Sequence, residues 1–385
     1  MQKLEELIQK LCPNGVEYKK ICEVTNILRG KRLTKSQLLE DGLYPVYHGS
    51  LSPLGYYNKA NRESDTVIVV NTGGIGGVGY SAAPFWCSDG CFCIEHCKIL
   101  INKFIYYFLV GFQDYFVSRI RTGGVPTIDK DTVGNIKIPI PPIEVQEEIV
   151  RILDKFTELT AELTAELTAR KKQYEFYRDN ILNFSNDVPR YKLAEIFNTR
   201  NGYTPSKNNK QFWNTSEISW FRMEDIRENG RILDKAIQGV SISAVKGKAF
   251  PKNSIIISTS ATIGEHALIK CESLANQRFT YLILKDEYKD KYNIMFLFYY
   301  CFVLDEYCKE NLNQGNFASV DMRKFNEFEF PMPSLEEQDH IVAILDRFDK
   351  LCNDISEGLP AEIDARQKQY EYYRDKLLTF EEIAQ

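Results

Sequence analysis

Three groups of residues have types and spacings that could do chemistry. The first is GIGGVG at residues 74–79, which satisfies Gly-x-Gly-x-x-Gly after an apolar run. That pattern holds a dinucleotide pyrophosphate when a helix opens at the glycines and aims its amides at the phosphates. Here Pro84 and Gly90 follow, and SAAPFWCSDG has no helical stripe. A tight turn with exposed backbone amides is the expected use, and a nucleotide-cofactor enzyme is the alternative. The second group is Cys87, Cys91, Cys93, His96 and Cys97. None of its spacings is Cys-x-x-Cys, so ordinary reduced cysteines on a strand are expected and a zinc site is not. No nucleophile–base pair, carboxylate dyad, Walker lysine loop or methyltransferase motif stands out. The chain is therefore expected not to be an enzyme on its own, with no catalytic residue, no metal and no cofactor.

The third group is basic and amide-bearing. Early in the chain it comprises Arg29, Lys31 and Arg32, then Tyr47, His48 and Ser50, then Asn71 and Thr72, then Arg119, Arg121 and Thr122. Later it comprises Arg200, Tyr203, Thr204 and Lys207, then Trp220, Arg222 and Arg227, then Ser260, then Asn313, Gln314 and Asn316. Arg, Asn and Gln read base edges bidentately, while Lys, Ser and Thr mostly hold phosphates. These residues are the candidate contacts to double-stranded DNA. A solvated surface is the better reading of any one of them taken singly; the clustering favours DNA.

The charge pattern agrees. Over 385 residues the formal net charge is −5, so no global basic field marks a polyanion binder. Residues 19–62 nevertheless hold eight basic against three acidic side chains, a local +5. Residues 190–252 hold twelve against six, a local +6, and residues 334–364 hold two against nine, a local −7. Segregation of this kind suits two polyanion-binding regions with separate protein-docking elements. The opening MQKLEELIQKLCPNG reads as a charged amphipathic helix and not a signal peptide. The longest apolar stretch, residues 294–304, is too short to span a bilayer. A cytoplasmic protein with ten reduced cysteines is expected.

The elements that must position these clusters are written twice. PIPPIEVQEEIVRILDKF, residues 139–156, returns as PMPSLEEQDHIVAILDRF, residues 331–348, with ten of eighteen positions identical. ARKKQYEFYRD, residues 169–179, returns as ARQKQYEYYRD, residues 365–375, with nine of eleven identical. Fainter echoes join VIVVNTGGIG at residue 67 to IIISTSATIG at residue 255. In each copy, short β-branched and aromatic runs bounded by Gly, Pro and Asn predict strands: TVIVVN, FCIEHCKILI, SIIISTS, TYLILK. A helix then follows. Residues 143–187 contain neither Gly nor Pro, and apolar residues recur about every 3.5 positions, from Ile149, Leu153 and Phe156 to Tyr174, Tyr177 and Ile181. The second copy repeats the seam at Ile341, Leu345, Phe348, Ile355, Tyr370, Tyr373 and Leu377, with a break expected at Gly358 and Pro360.

The expected fold is α+β, with two pseudo-repeated recognition domains of mixed sheet and helix. Two long helices separate them, packed as an antiparallel coiled coil. The expected boundaries are 1–142, 143–184, 185–333 and 334–385. Shared segments read as scaffold, and diverged ones as two readers with different targets. A generic coiled-coil protein would explain the helices but not the duplicated, diverged, basic leading halves.

The repeated block resembles the conserved regions of the specificity subunits of type I restriction–modification systems. IVRILDKFTELTAELTAELTARKKQYEFYRD is similar to the first conserved region, and its TAEL tetrapeptides to the spacer of the IC-type branch. GLPAEIDARQKQYEYYRDKLLTF is similar to the second, and SWFRMEDI and STSATIG to target recognition domains. The resemblance implies that each recognition domain reads half of a split DNA site. It further implies that the helices set the spacing and bind two methyltransferase (M) subunits, with restriction/translocase (R) subunits completing the complex. S-adenosylmethionine, ATP and Mg would then act on the partners, which would methylate adenine and cut DNA. Charged residues on the outer helix faces, Glu147, Arg151, Lys171, Arg178, Glu337 and Arg374, are the expected partner surface. A stand-alone DNA-binding regulator is the remaining alternative.

Overall fold

The computed structural model describes residues 2–313, 318–354 and 357–383. The chain forms two units. The first comprises Met1–Thr164 with Ile363–Gln385, and the second comprises Ala165–Glu362. Both are α+β.

In the first unit, TVIVV forms the strand Thr66–Val70, buried along its whole length. A continuous apolar run suits a strand covered on both faces. Alternation then splits its side chains. Val67 and Val69 enter the main core with Phe92, Ile94, Phe104 and Tyr107. Ile68 and Val70 join a smaller core with Phe85, Cys87, Cys91 and Cys93. The strand lies between Cys91–Ile94 and Val78–Ser81 in an antiparallel four-stranded sheet, with Ile27–Arg29 beyond Cys91–Ile94. A three-stranded sheet places Tyr44–Tyr47 between Gly55–Tyr57 and Trp86–Cys87. A two-stranded ladder of Glu17–Lys20 with Lys137–Ile140 leads into the helix Ile143–Ile181.

The second unit repeats the scheme. Ser254–Ser258 is again buried throughout, and its Ile255 and Ile257 face one core while Ile256 faces another. Its sheet runs Phe197–Asn201, Phe279–Leu284, Ser254–Ser258, His266–Ile269, Ile232–Leu233. The three-stranded sheet places Ile218–Phe221 between Gly239–Val240 and Ser273–Ala275, and Arg190–Lys192 pairs with Glu329–Pro331.

Equivalent polar clamps hold the helices. The Gln146 amide donates to the carbonyls of Ile99 (2.8 Å) and Pro141 (2.7 Å) and accepts from the Ile101 amide (2.8 Å). Gln338 does the same with Lys291, Pro333 and Asn293. Both glutamines are fully buried, where an unpaired amide would be costly. Tyr107 donates to Asp154 (2.5 Å), and Tyr299 to Asp346 (2.6 Å).

The gap-free run 143–187 yields a single helix of 39 residues, Ile143–Ile181. Its threonines are tolerated because their hydroxyls bond back one turn, Thr157 to Leu153 O (3.0 Å) and Thr160 to Phe156 O (2.9 Å). In the second copy one helix ends at Asn353 and the next begins at Leu359, so the expected break is present, with Gly358 just before the second helix and Pro360 in its first turn. Ile355 lies outside the described residues. No helix among the described residues is long and apolar enough to cross a membrane.

Candidate nucleic-acid interface

In the first unit, close backbone approach assembles five segments at one edge. Gly30 N donates to Cys91 O (3.1 Å) and Lys31 N to Cys87 O (2.9 Å). This brings the Arg29–Lys31 segment against the turn Ser88-Asp89-Gly90. A Cβ on Gly30 would fall inside the Ser88 carbonyl, so only glycine lets the two chains meet. Ser88 N donates to Tyr47 O (2.9 Å), and Gly74 N to Gly49 O (2.8 Å). Asn71 N donates to Gly90 O (3.1 Å) and Asn71 O accepts from Ile128 N (3.0 Å). Arg121 N donates to Thr127 O (2.9 Å), and the Thr72 and Thr127 hydroxyls lie 3.2 Å apart.

The edge therefore collects Arg29, Lys31, Tyr47, His48, Ser50, Asn71, Thr72, Arg121 and Thr122. Asn71 itself is buried, and its side-chain oxygen has no hydrogen-bond partner among the described residues. His48 Nδ1 lies 3.3 Å from Asp89 and 3.2 Å from the Ser88 hydroxyl. Arg121 pairs with Asp129. Arg29 Nε donates to Asp89 O (3.3 Å). Arg32 is exposed one residue on. Arg119 lies over the Tyr115 ring at the end of the helix Gln113–Ser118, which Gly76 approaches closely.

The second unit builds the same edge from different side chains. Gly202 N donates to Phe279 O (2.8 Å), Tyr203 N to Ala275 O (2.8 Å), Asn276 N to Phe221 O (3.0 Å), Val320 N to Thr259 O (2.9 Å) and Asn313 N to Ser319 O (2.8 Å). Each bond has its counterpart above. Gly202 sits on the Asn276 carbonyl as Gly30 sits on that of Ser88. Arg200 lies 4.5 Å over the Phe250 ring, and Arg222 5.7 Å from that of Trp220. Trp220 Nε1 donates to Tyr203 O (3.1 Å), and the Thr204 hydroxyl to Gln277 (2.5 Å). Ser260 pairs with Ser319 in a short bridge. Lys207 is exposed in the loop that follows Thr204. Gln314 and Asn316 lie outside the described residues.

Arg227 departs from this grouping. The helix Met223–Asn229 carries it into a cleft of about 1090 Å³ shared with Tyr174, Arg178, Arg231, Asp305 and Asp349. Two guanidiniums also differ from the expected outward helix face. Arg178 and Arg374 keep only 16% and 14% of their side-chain exposure. Arg178 lies 4.2 Å over Phe302, and Arg374 5.9 Å over Tyr370. Glu147, Arg151, Lys171 and Glu337 are exposed. So are two aromatics at matching repeat positions, Phe176 (66%) and Tyr372 (62%).

Residues 74–77 lie in the turn between Thr66–Val70 and Val78–Ser81, Val78 and Gly79 open the second of these strands, and no helix opens there, so the pyrophosphate cradle is not built. Cys87, Cys91 and Cys93 are free and buried in the smaller core, and burial pushes the Cys91 thiol up to about 12. Among the described residues no group of three or more His, Cys, Asp or Glu could hold a metal ion.

The sequence clusters missed the central turn of each edge, Ser88-Asp89-Gly90 and Asn276-Gln277-Arg278. The signal was weak because the two turns share no residue type. Only their position between matching strands relates them.

The model of the type I restriction modification DNA specificity domain matches residues 13–170 and again 186–365. The EcoprrI type I restriction enzyme specificity subunit of Escherichia coli is 57% identical over 198 residues, 49% of this chain and 49% of that protein. The EcoR124I/EcoR124II specificity subunit of Escherichia coli is 42% identical over 298 residues, 72% of this chain and 70% of that protein. A putative type I specificity subunit of Haemophilus influenzae is 31% identical over 396 residues, 98% of each. The chain thus matches about half the length of the first relative and nearly all of the third. Among solved structures, the type I restriction–modification S subunit from M. genitalium has the same fold, with a TM-score of 0.57 at 16% identity over 94% of this chain and 96% of that one. A chain from a structure of type I restriction–modification complex assembly gives 0.64 at 17% identity over 95% and 98%.

Proposed function

The chain belongs to the type I restriction–modification DNA specificity family, and from that membership we propose that its two loop-built edges read the two halves of a bipartite DNA site. The observation that carries this reading is the repeated edge itself. One backbone scaffold, fixed by matching hydrogen bonds at Gly30 and Gly202, presents different side chains in each unit. A common scaffold with diverged polar tips is what two readers of different half-sites need.

The expected boundaries 1–142, 143–184, 185–333 and 334–385 then separate readers from spacers. The chain supplies specificity and scaffolding but no chemistry. Two methyltransferase subunits bind the exposed helix faces around Glu147, Arg151, Lys171 and Glu337, with Phe176 and Tyr372 as apolar anchors in the two repeats. Those subunits use S-adenosylmethionine to methylate adenine. Restriction/translocase subunits add the ATP- and Mg-dependent cleavage.

The test is to express the full chain with its methyltransferase subunit in a host free of adenine methylation and map the modified adenines. The expected result is one bipartite motif. Exchanging residues 1–142 for another reader changes one half only, and the pure chain alone transfers no methyl groups. Methylation without a partner, or a change in both halves, overturns the reading.

A further inference from the structure

At the edge of the second unit most polar side chains are already engaged by the fold. Arg200 covers Phe250. Arg222 packs against Trp220 and lies 3.9 Å from Glu224. Thr204 and Gln277 bond each other, and the Asn313 amide donates to the Ser319 hydroxyl (3.3 Å) and Val320 O (3.1 Å). Lys207 is exposed without such a contact and Arg222 Nε has no hydrogen-bond partner among the described residues, but only Arg278 stands on the central turn. Its side chain is exposed and has no hydrogen bond, ion pair or ring contact among the described residues. Its backbone, by contrast, is fixed. Arg278 N donates to Asn276 Oδ1 (2.9 Å), and Arg278 O accepts from Thr259 N (3.0 Å). The turn joins the buried strands Ser273–Ala275 and Phe279–Leu284.

We propose that Arg278 is the specificity-determining residue with which the second unit recognises a guanine, its guanidinium donating to O6 and N7 in the major groove. The proposal rests on reading this edge as a DNA interface and names the base contact within it. Three observations favour it. Arg278 sits where the loops of Gly202, Phe221 and Thr259 converge, so whatever docks on the edge meets it. Its backbone is held by two hydrogen bonds and two strands, which limits the entropy lost on contact. A guanidinium is the group whose planar fork matches the two acceptors of guanine.

The first unit supports the assignment by contrast. The equivalent position is Gly90, and a Cβ there would lie 2.7 Å from Gly49 N and 3.0 Å from His48 Nδ1. No side chain fits, so the first unit cannot make this contact from that place. Its nearest polar groups are His48 and the Asp89 carboxylate, which accepts where an arginine donates.

The test uses the full chain assembled with its methyltransferase subunit and a duplex carrying the mapped site. Each guanine is replaced in turn by 7-deazaguanine, which removes the N7 acceptor and keeps the base pair. In the wild type, one replacement in the second unit's half-site should lower affinity about 10-fold, the scale of one charge-assisted hydrogen bond. Arg278→Ala should bind the intact site about 10- to 100-fold more weakly and be indifferent to that replacement. Arg278→Lys should keep the salt dependence and weaken the base preference, because an ammonium can donate to the same acceptors without the fixed fork. Three results overturn the proposal: equal 7-deazaguanine penalties in wild type and Arg278→Ala, an Arg278→Ala loss that is the same on unrelated duplex, or a half-site without guanine. If the wild type itself prefers no sequence, the reading of the edge fails too. If it prefers its site and Arg278→Ala keeps the same preferences, the Arg278 assignment alone fails.

Discussion

The ring of Phe156 stacks on that of Tyr373, with centroids 5.4 Å apart and planes 23° from parallel. In the second unit Tyr177 stacks on Phe348 at 5.7 Å and 26°. Phe156 and Phe348 are equivalent in the repeat, as are Tyr177 and Tyr373. Each unit therefore draws its phenylalanine from one copy of the repeat and its tyrosine from the other. Aromatic pairs contribute about 0.5–1.5 kcal/mol beyond the area they bury. Phe156→Ala should destabilise the first unit by about 1–3 kcal/mol and raise amide exchange there, leaving the second unchanged. Exchange rising equally in both units would show that the pair does not belong to one unit.

The glycines at the edges make a second prediction. Gly202→Ala forces its new carbon into the Asn276 carbonyl, so the turn that carries Arg278 must move. A cost of about 1–3 kcal/mol is expected. On a two-part target, methylation mapping should show weakened selectivity in one half. Gly30→Ala should do the same to the other half. If both substitutions weaken the same half, the two edges do not read separately.

Glu148 gives a pH signature. Its hydrogen bond with Arg151 holds the carboxyl down to about 2, with Lys3 helping and burial opposing. A carboxyl whose folded pKa is depressed stabilises the fold above its unfolded value, near 4.5, and loses that contribution as pH falls toward 2. Glu148→Gln should cost about 1–2 kcal/mol at pH 7. The Tm gap to wild type should narrow steadily below about pH 4.5. A gap of constant size across that range would sink the assignment.

The repeated tetrapeptide offers a length test. Between Phe156 and Arg170 lie thirteen residues, and between Phe348 and Arg366 seventeen, a difference of one tetrapeptide. Four helical residues add about 6 Å of rise and a net rotation of about 40°. One base pair of B-DNA turns by about 35°. Deleting residues 164–167 should shorten the gap between half-sites by one base pair and leave both half-site sequences intact. An unchanged gap in the methylation map would show that this helix does not set it.

Much of the fold could be read from the residues. The lack of Gly and Pro over 143–187 marks the long helix, and Gly358 with Pro360 marks the break in its counterpart. TVIVV and SIIIS read as buried strands because every position is apolar or small. Partner choice could not be read. The repeat says that Phe156 and Phe348 are alike, but not that each meets the tyrosine of the other copy. Side-chain direction was equally hidden. Arg222 and Arg227 are neighbours in sequence, yet a short helix turns the second into the cleft. Arg178 and Arg374 look like surface charges, but their long stems lie on aromatic rings. Arg278 escaped notice because its counterpart, Gly90, has no side chain to compare.

The first unit is finished by residues late in the chain. Leu377 and Leu378 are buried in its core, Val16 N donates to Glu381 O (2.8 Å), and the Tyr18 hydroxyl to Phe380 O (3.0 Å). Every residue of the second unit precedes these on the ribosome. The unit that starts first is therefore completed last. Until residues 363–383 emerge, the faces of Tyr107 and Phe156 that Tyr370 and Tyr373 cover stay open to solvent. Contacts separated by more than 350 residues close slowly, and exposed apolar surface invites misassembly meanwhile. The order of synthesis thus lets the second unit complete its core while the first is still open, and leaves the first unit exposed to misassembly for longer.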